Sequence, residues 1–410
     1  QVKIESCSNV VNPKRLVETV TLYTYLIIHI QRTIQATMKP YTLATAALLV
    51  ALLSLFFTDN GNILISPFLE PPPIETSRDV LHASNVIPLQ EAHGPESLAF
   101  DPNGGGPYTG VADGRILKWA NGNWVDFAFT SSNRTHCTKA FNPEMEHICG
   151  RPLGLRFEKK TGDLYIADAY FGIHVVGAGG GLSTKLVSEV ENRPLLFTND
   201  MDIDEEEDAL YFSDSSEHFH RRNFMSSVLS LDKSGKLMKY DKSKKELTVL
   251  LRGIAFANGV ALSKDKSFVL VVETNACRII KFWLKGAKAG SSEVLIDLPG
   301  FPDNIRRNED GDFWIALHCR KGLFSRVYTL HSLVGKMLIK APIGFPKLHS
   351  LLVGGKPHAT VVKIDENGKI LDVMEDFHGK TLRYISEVEE KNGNIWVGSV
   401  MVPFVGVYKL

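Results

Sequence analysis

The chain has no excess of charge of either sign: 46 Lys plus Arg stand against 46 Asp plus Glu in 410 residues. Without a long-range field to draw in polyanions, nucleic acid is excluded as an expected partner. Apolar residues are not in short supply, at 44% against 22% charged, so disorder does not dominate and a large core can form. No glycine-rich phosphate loop is present either. The run "GAGGG" at 177–181 lacks a strand-to-helix context and reads as a hairpin tip.

No methionine precedes Met38, which opens "MKPYTLATAALLVALLSLFFTDN". The apolar run from Thr42 to Phe57 falls short of the roughly 20 residues that span a bilayer comfortably and suits a signal segment, either cleaved or retained as an anchor. Residues 1–37 then form an upstream or unstructured segment, 38–58 the signal peptide or signal-anchor and 59–78 a linker marked by "EPPPIETS". Both alternatives send the chain into the secretory pathway, to vacuole or endoplasmic reticulum. The sequon Asn133-Arg134-Thr135, with Cys137 and Cys149 close behind, agrees with a glycosylated chain carrying a local disulfide. Of the other cysteines, Cys277 and Cys319 read as small strand residues, and Cys7 is left over.

From residue 79 to 410 the chain repeats itself. "GPESLAFDPNGGGPYTGVADGRILKW", "RPLGLRFEKKTGDLYIADAYFGIHVV", "TNDMDIDEEEDALYFSDSS", "ANGVALSKDKSFVLVVETNACRIIKFW", "PDNIRRNEDGDFWIALH" and "ISEVEEKNGNIWVGSV" each give an apolar strand, an acidic or glycine-containing turn and a second strand. Six such units predict an all-β, six-bladed β-propeller, with a pair of β-sandwiches as the alternative. In "DIDEEED", residues 202–208, the acids belong to a solvated turn.

Propeller blades place their first strands along a common channel, so equivalent positions converge. Aligned on their turns, the units bring Glu96, Leu153, Asn199, Asn258, Asp303 with Asn304, and Ile385 with Ser386 into one phase. Four of these six positions offer oxygen, and polar groups buried there without partners would each cost several kcal/mol. One Ca²⁺ in the central channel, held by Glu96, Asn199, Asn258, Asp303 and Asn304, would satisfy them; no His or Cys is in phase to favour zinc or copper.

Residues 321–357 interrupt the repeat. "GLFSRVYTLHSLVGKMLIKAPIGF" spaces Leu323, Val327, Leu330, Val334, Met337 and Leu338 on one helical face, predicting a helical lid over the channel. Arg320, Lys321, Arg326, Lys336 and Lys340 accompany the stripe, so the 321–345 lid, like the N-terminal segment, also suits contact with a membrane surface. A lid would desolvate a pocket for a lipophilic small-molecule substrate.

The motifs "CGRPLGLRF", "GDLYIADAYFG", "TNDMDI", "YFSDSS", "ANGVALS", "RIIKFWLKG" and "PDNIRRNEDGDFWIA" resemble the strictosidine synthase-like proteins of plants. These are similar to adipocyte plasma membrane-associated protein and, distantly, to paraoxonase-type calcium-dependent lactonases. The resemblance covers about residues 75–410. One branch implies Pictet-Spengler condensation with a channel glutamate, but that position here is Ser386; Glu387, one residue along, turns to the opposite strand face. The other branch implies calcium-dependent hydrolysis of esters or lactones, and its ligand pattern falls on Glu96, Asn199, Asn258, Asp303 and Asn304. The paraoxonase catalytic histidine would fall near Pro152, where no His stands. Asp303, as nucleophile or base, and His318 are the catalytic candidates, with His218 and His220 as further bases. A non-catalytic, membrane-tethered propeller is the remaining alternative.

Overall fold

A computed structural model describes residues 73–410 except 75, 138–142, 331, 342 and 355. The signal or anchor segment and Cys7 lie outside the described residues. No helix among the described residues is long and apolar enough to cross a membrane.

Six sheets, antiparallel apart from a short parallel strand at the rims of blades one and five, are arranged as a six-bladed β-propeller. Their innermost elements, in chain order, are a bridge from Ala99 to Tyr108 and the strands Pro152–Phe157, Thr198–Asp204, Ala257–Leu262, Gly300–Arg307 and Glu387–Lys391. Blade four shows the plan. Ala257–Leu262 pairs with Phe268–Glu273, that with Arg278–Trp283, and that with Ser292–Asp297 at the rim. The first two strands are buried along their whole length because neighbouring blades cover both sheet faces, which is why they read as continuous apolar runs rather than alternating ones.

The ring is closed by its two ends. Asn85–Pro88 pairs antiparallel with Phe404–Lys409 and completes blade six from the other end of the chain. Arg78–Asp79 runs parallel to Met374–Glu375 at the rim of blade five, so Arg78, placed in the linker by sequence, belongs to a sheet.

The inner strands are irregular where the in-phase polar residues lie. Pairing shifts between Pro152 and Gly154, Thr198 and Met201, Ala257 and Val260, and Pro302 and Ile305. A bulge takes its residues out of the ladder and re-aims their side chains. This explains why Asp303 and Asn304, poor strand formers, can sit in the middle of the inner strand Gly300–Arg307. Close approach of adjacent inner strands accompanies the bulges: a Cβ on Gly259 would lie 2.5 Å from the Ile305 nitrogen and 2.7 Å from the Asn304 Cα.

Within blade five, between its second strand Phe313–Arg320 and its third strand Ala359–Ile364, the insertion forms three short helices, Leu323–Leu330, Ser332–Lys340 and Phe345–Leu352. The single apolar stripe expected there does not hold. Leu323 and Met337 are exposed while Leu338 is buried. A further helix absent from the sequence reading, Phe224–Ser230, joins this group. Cys319 is a strand residue as expected; Cys277 instead sits one residue before its strand in a left-handed conformation (φ 54°).

Candidate functional site

The bulges turn Asn199, Asn258 and Asp303 toward a cavity of about 340 Å³ in the top of the channel, which Glu96 also lines. Hydrogen bonds fix how the carboxamides are turned. The Ser215 hydroxyl donates to the Ala257 carbonyl (2.7 Å), so it accepts from Asn199 Nδ2 (2.9 Å). The Thr274 hydroxyl likewise donates to the Pro302 carbonyl (2.7 Å) and accepts from Asn258 Nδ2 (3.1 Å). Asn258 Nδ2 also donates to Asp303 Oδ1 at 2.7 Å, and Asn304 Nδ2 to Glu96 Oε1 at 3.0 Å. With every amide nitrogen engaged, Asn199 Oδ1, Asn258 Oδ1, Asn304 Oδ1 and Glu96 Oε2 are left buried without a hydrogen-bond partner.

Each such orphan costs about 1–3 kcal/mol, so four side by side are a preorganised acceptor set. Burial, reinforced by the neighbouring Asp303 and Glu387 charges, raises the Glu96 carboxyl well above its ordinary range. Asp303 is pushed up to about 6, chiefly by burial, although hydrogen bonds from Asn258 and Ser386 pull the other way. The site is therefore rich in oxygen and short of positive charge. Among the described residues no three His, Cys, Asp or Glu side chains are grouped so as to hold a metal ion by themselves, so its character comes from amide oxygens. Two carboxylates and three carboxamides fit a hard, oxygen-seeking cation of the Ca²⁺ type.

Above the polar ring the wall is apolar. Phe197, Phe256 and Phe301 line it, each two residues before Asn199, Asn258 and Asp303. Phe301 lies on its strand, while Phe197 and Phe256 immediately precede theirs; the shared offset of two keeps the aromatics in step with the repeat, hidden as ordinary core. Helix Phe224–Ser230 adds Phe224, Met225 and Val228, while the insertion adds Tyr328, Phe345, His349 and Leu352. At the mouth Arg221 donates to buried Glu146 (2.6 Å), whose other oxygen accepts from the Tyr170 hydroxyl (2.9 Å).

The helix Glu146–Cys149 that carries this carboxylate is tied down by the Cys137–Cys149 disulfide. The bond closes a short loop, worth roughly 3 kcal/mol in the chain-entropy account. A Cys137→Ser/Cys149→Ser variant is expected to lose about that stability in denaturant titration and to become protease-sensitive first around Pro143 and Glu144 at the cavity mouth. Cleavage elsewhere first would detach the disulfide from the mouth.

Of the histidines, His318 reaches the cavity. Its Nδ1 lies 4.0 Å from Asp303 Oδ2, and its Nε2 lies 3.0 Å from His349 Nε2. Burial lowers His318 to about 3 and His349 to about 4, so both rings are neutral at physiological pH. One Nε2–H must then donate to the other ring. If His349 is the donor, His318 directs Nδ1–H at the Asp303 carboxylate. His218 and His220 are not brought to the site: His218 pairs with Asp232 on the surface (3.1 Å), and His220 stacks on Tyr170.

Ser386 is buried, its hydroxyl accepting from the Val400 amide at 3.0 Å. Glu387 faces away as strand alternation requires and pairs with buried Arg306, whose guanidinium also grips both oxygens of Asp200 (2.5 and 3.0 Å). No bulge rescues Glu387 into the cavity. Asn133 is exposed.

The sequence profile of the strictosidine synthase family matches residues 199–287, and that of the strictosidine synthase-like N-terminal region matches 79–119. Protein Strictosidine Synthase-Like 10 of Arabidopsis thaliana is 59% identical over 347 residues, covering 84% of this chain and 93% of the relative. Protein Strictosidine Synthase-Like 3 of the same plant is 51% identical over 351 residues, covering 84% and 90%. Among solved structures, a gluconolactonase from Xanthomonas campestris aligns with TM-score 0.53 at 14% identity, over 83% of this chain and 95% of that one. The calcium-binding protein regucalcin from Agrobacterium tumefaciens aligns with TM-score 0.50 at 15% identity, over 79% and 93%. At such identities the structural likeness speaks for the propeller fold alone. The sequence relationship goes further, and the chain belongs to the strictosidine synthase-like family.

Proposed function

We propose that this protein is a calcium-dependent hydrolase of esters or lactones of lipophilic small molecules, acting within the secretory pathway. The observation that carries the proposal is the set of four unpartnered buried oxygens, those of Glu96, Asn199 and Asn258 on residues that line an apolar cavity with Asp303, and that of Asn304 next to Asp303 in the chain. Glu96, Asn199, Asn258, Asp303 and Asn304 would hold one Ca²⁺, which when bound polarises a carbonyl and stabilises the developing oxyanion.

The chain's own residues supply the rest. Phe197, Phe256, Phe301 and Tyr328 exclude water and orient the apolar part of the substrate. Asp303 takes the proton from an attacking water, or attacks the carbonyl itself, while Asn258 Nδ2 fixes its carboxylate. His318, held by His349, orients the other Asp303 oxygen.

The test is elemental analysis of the purified full chain together with hydrolysis of aryl esters and lactones. About one calcium per chain is expected, with turnover lost on chelation and restored by calcium. Calcium without turnover on any ester would leave a propeller whose metal only pins the blades. A chain without metal would leave a polar plug and return attention to amine-aldehyde condensation, against which Ser386 stands.

A further inference from the structure

The helix Ser332–Lys340 has two unlike faces. On one, Gly335 lies against the Leu229 carbonyl of helix Phe224–Ser230 so closely that any side chain there would collide with it, and Leu338 is buried. The helix is therefore docked by that face, with no freedom to roll over. On the other, Leu333, Lys336, Met337 and Lys340 stand at i, i+3, i+4 and i+7, and all four are exposed. Leu333 is 63% and Met337 49% solvent-accessible, values a core-facing stripe would not show. Leu323, Ile339 and Phe345 are exposed in the same insertion.

Charge decides what such a face would meet. Between Lys321 and Ile364 the chain has no Asp or Glu, against six Lys and one Arg, although the protein as a whole is neutral. Exposed apolar side chains alternating with lysines on a docked helix match an interface of anionic headgroups over acyl chains. We infer that the Leu333, Lys336, Met337 and Lys340 face seats on an anionic phospholipid bilayer, with Leu333 and Met337 entering the acyl boundary and the lysines at headgroup level.

The placement suits the cavity beneath. Tyr328, Phe345, His349 and Leu352 of the same insertion line its wall, so a bilayer-dissolved substrate would reach the apolar cavity through elements already in the interface. The inference does not rest on hydrolysis, because Leu333, Lys336, Met337 and Lys340 do not line the cavity.

A position-specific readout separates this contact from any tethering by the N-terminal segment. In the full chain carrying Cys7→Ser, a solvatochromic fluorophore is attached at Met337→Cys or, as control, at exposed Leu182→Cys; Cys277 and Cys319 are buried. With phosphatidylcholine/phosphatidylserine vesicles, a blue shift and quenching by brominated lipid are expected at 337 and not at 182. The 337 response should weaken about tenfold or more with Lys336→Glu/Lys340→Glu, and also at high salt in the labelled chain that keeps both lysines, a control independent of the charge reversal's effect on folding. Equal behaviour of the two probes would overturn the inference. A 337 response that persists on pure phosphatidylcholine and ignores salt would overturn its anionic selectivity. Hydrolysis of a water-soluble aryl ester should be unchanged by the charge reversal, so failure here and failure of the hydrolase reading are distinguishable.

Discussion

Replacing Arg306 with methionine is expected to destabilise the propeller by about 3–5 kcal/mol, the usual cost of leaving buried charges uncompensated. In a protein of this size that lowers Tm by roughly 5–10 °C. Arg306 is nearly fully buried and is ion-paired with two equally buried carboxyl groups, Asp200 from blade three and Glu387 from blade six. Asp200 also accepts the Val260 backbone N–H of blade four at 2.8 Å. One guanidinium on blade five thus ties together the inner strands of four blades just beneath the site. Without it only the Arg156 charge opposes burial at Glu387, already pushed up to about 8, and that carboxyl would take up a proton or draw in water. Combining Arg306→Met with Asp200→Asn and Glu387→Gln should recover much of the loss, because the charges that needed the arginine are gone. Thermal denaturation of the single and triple variants decides it. A single variant as stable as the parent would mean that the charges are solvated, and that the cluster does not fasten the blades.

The cluster also marks where sequence reasoning stops. Arg306 is 106 residues from Asp200 and 81 from Glu387, and no local pattern announces a partner at such a distance. The blades were legible because every one repeats the same strand, turn and strand, so chance resemblance in one unit is checked by five others. The oxygen set was legible for the same reason: Asn199, Asn258 and Asp303 occupy equivalent bulges. Phe197, Phe256 and Phe301 obeyed the same period, yet a phenylalanine in a strand is expected in any core and attracts no notice. His349 lay in an insertion with no repeat to align it, so its contact with His318 could not be foreseen. Helix Phe224–Ser230 has only seven residues, less than the two turns that establish a helical period. In the insertion the opposite error arose, since the helical spacing reads as one apolar face while Leu323 and Met337 are exposed and Leu338 is buried.

Asp303→Asn is expected to lower kcat for aryl esters by about 10³-fold, within the range for removing a general base or an electrostatic contact to the transition state. Asparagine keeps the size of the side chain and an oxygen that can accept from Asn258 Nδ2, so the bulge and the cavity should survive and Tm should change little. What is lost is the charge. Elemental analysis of the same variant separates the two roles given to Asp303. If calcium stays near one per chain while turnover falls, the carboxylate is the base or nucleophile, and Glu96 with the three carboxamides is sufficient to hold the ion. If calcium and turnover fall together and excess calcium restores the rate, Asp303 acts as a ligand and the proton must go elsewhere, with His318 nearest at 4.0 Å. His318→Gln, which retains a polar side chain beside His349, should cost less than Asp303→Asn in the first case and more than calcium-replete Asp303→Asn in the second. Unchanged turnover in Asp303→Asn would remove Asp303 from the machinery altogether and place the chemistry away from the oxygen cage.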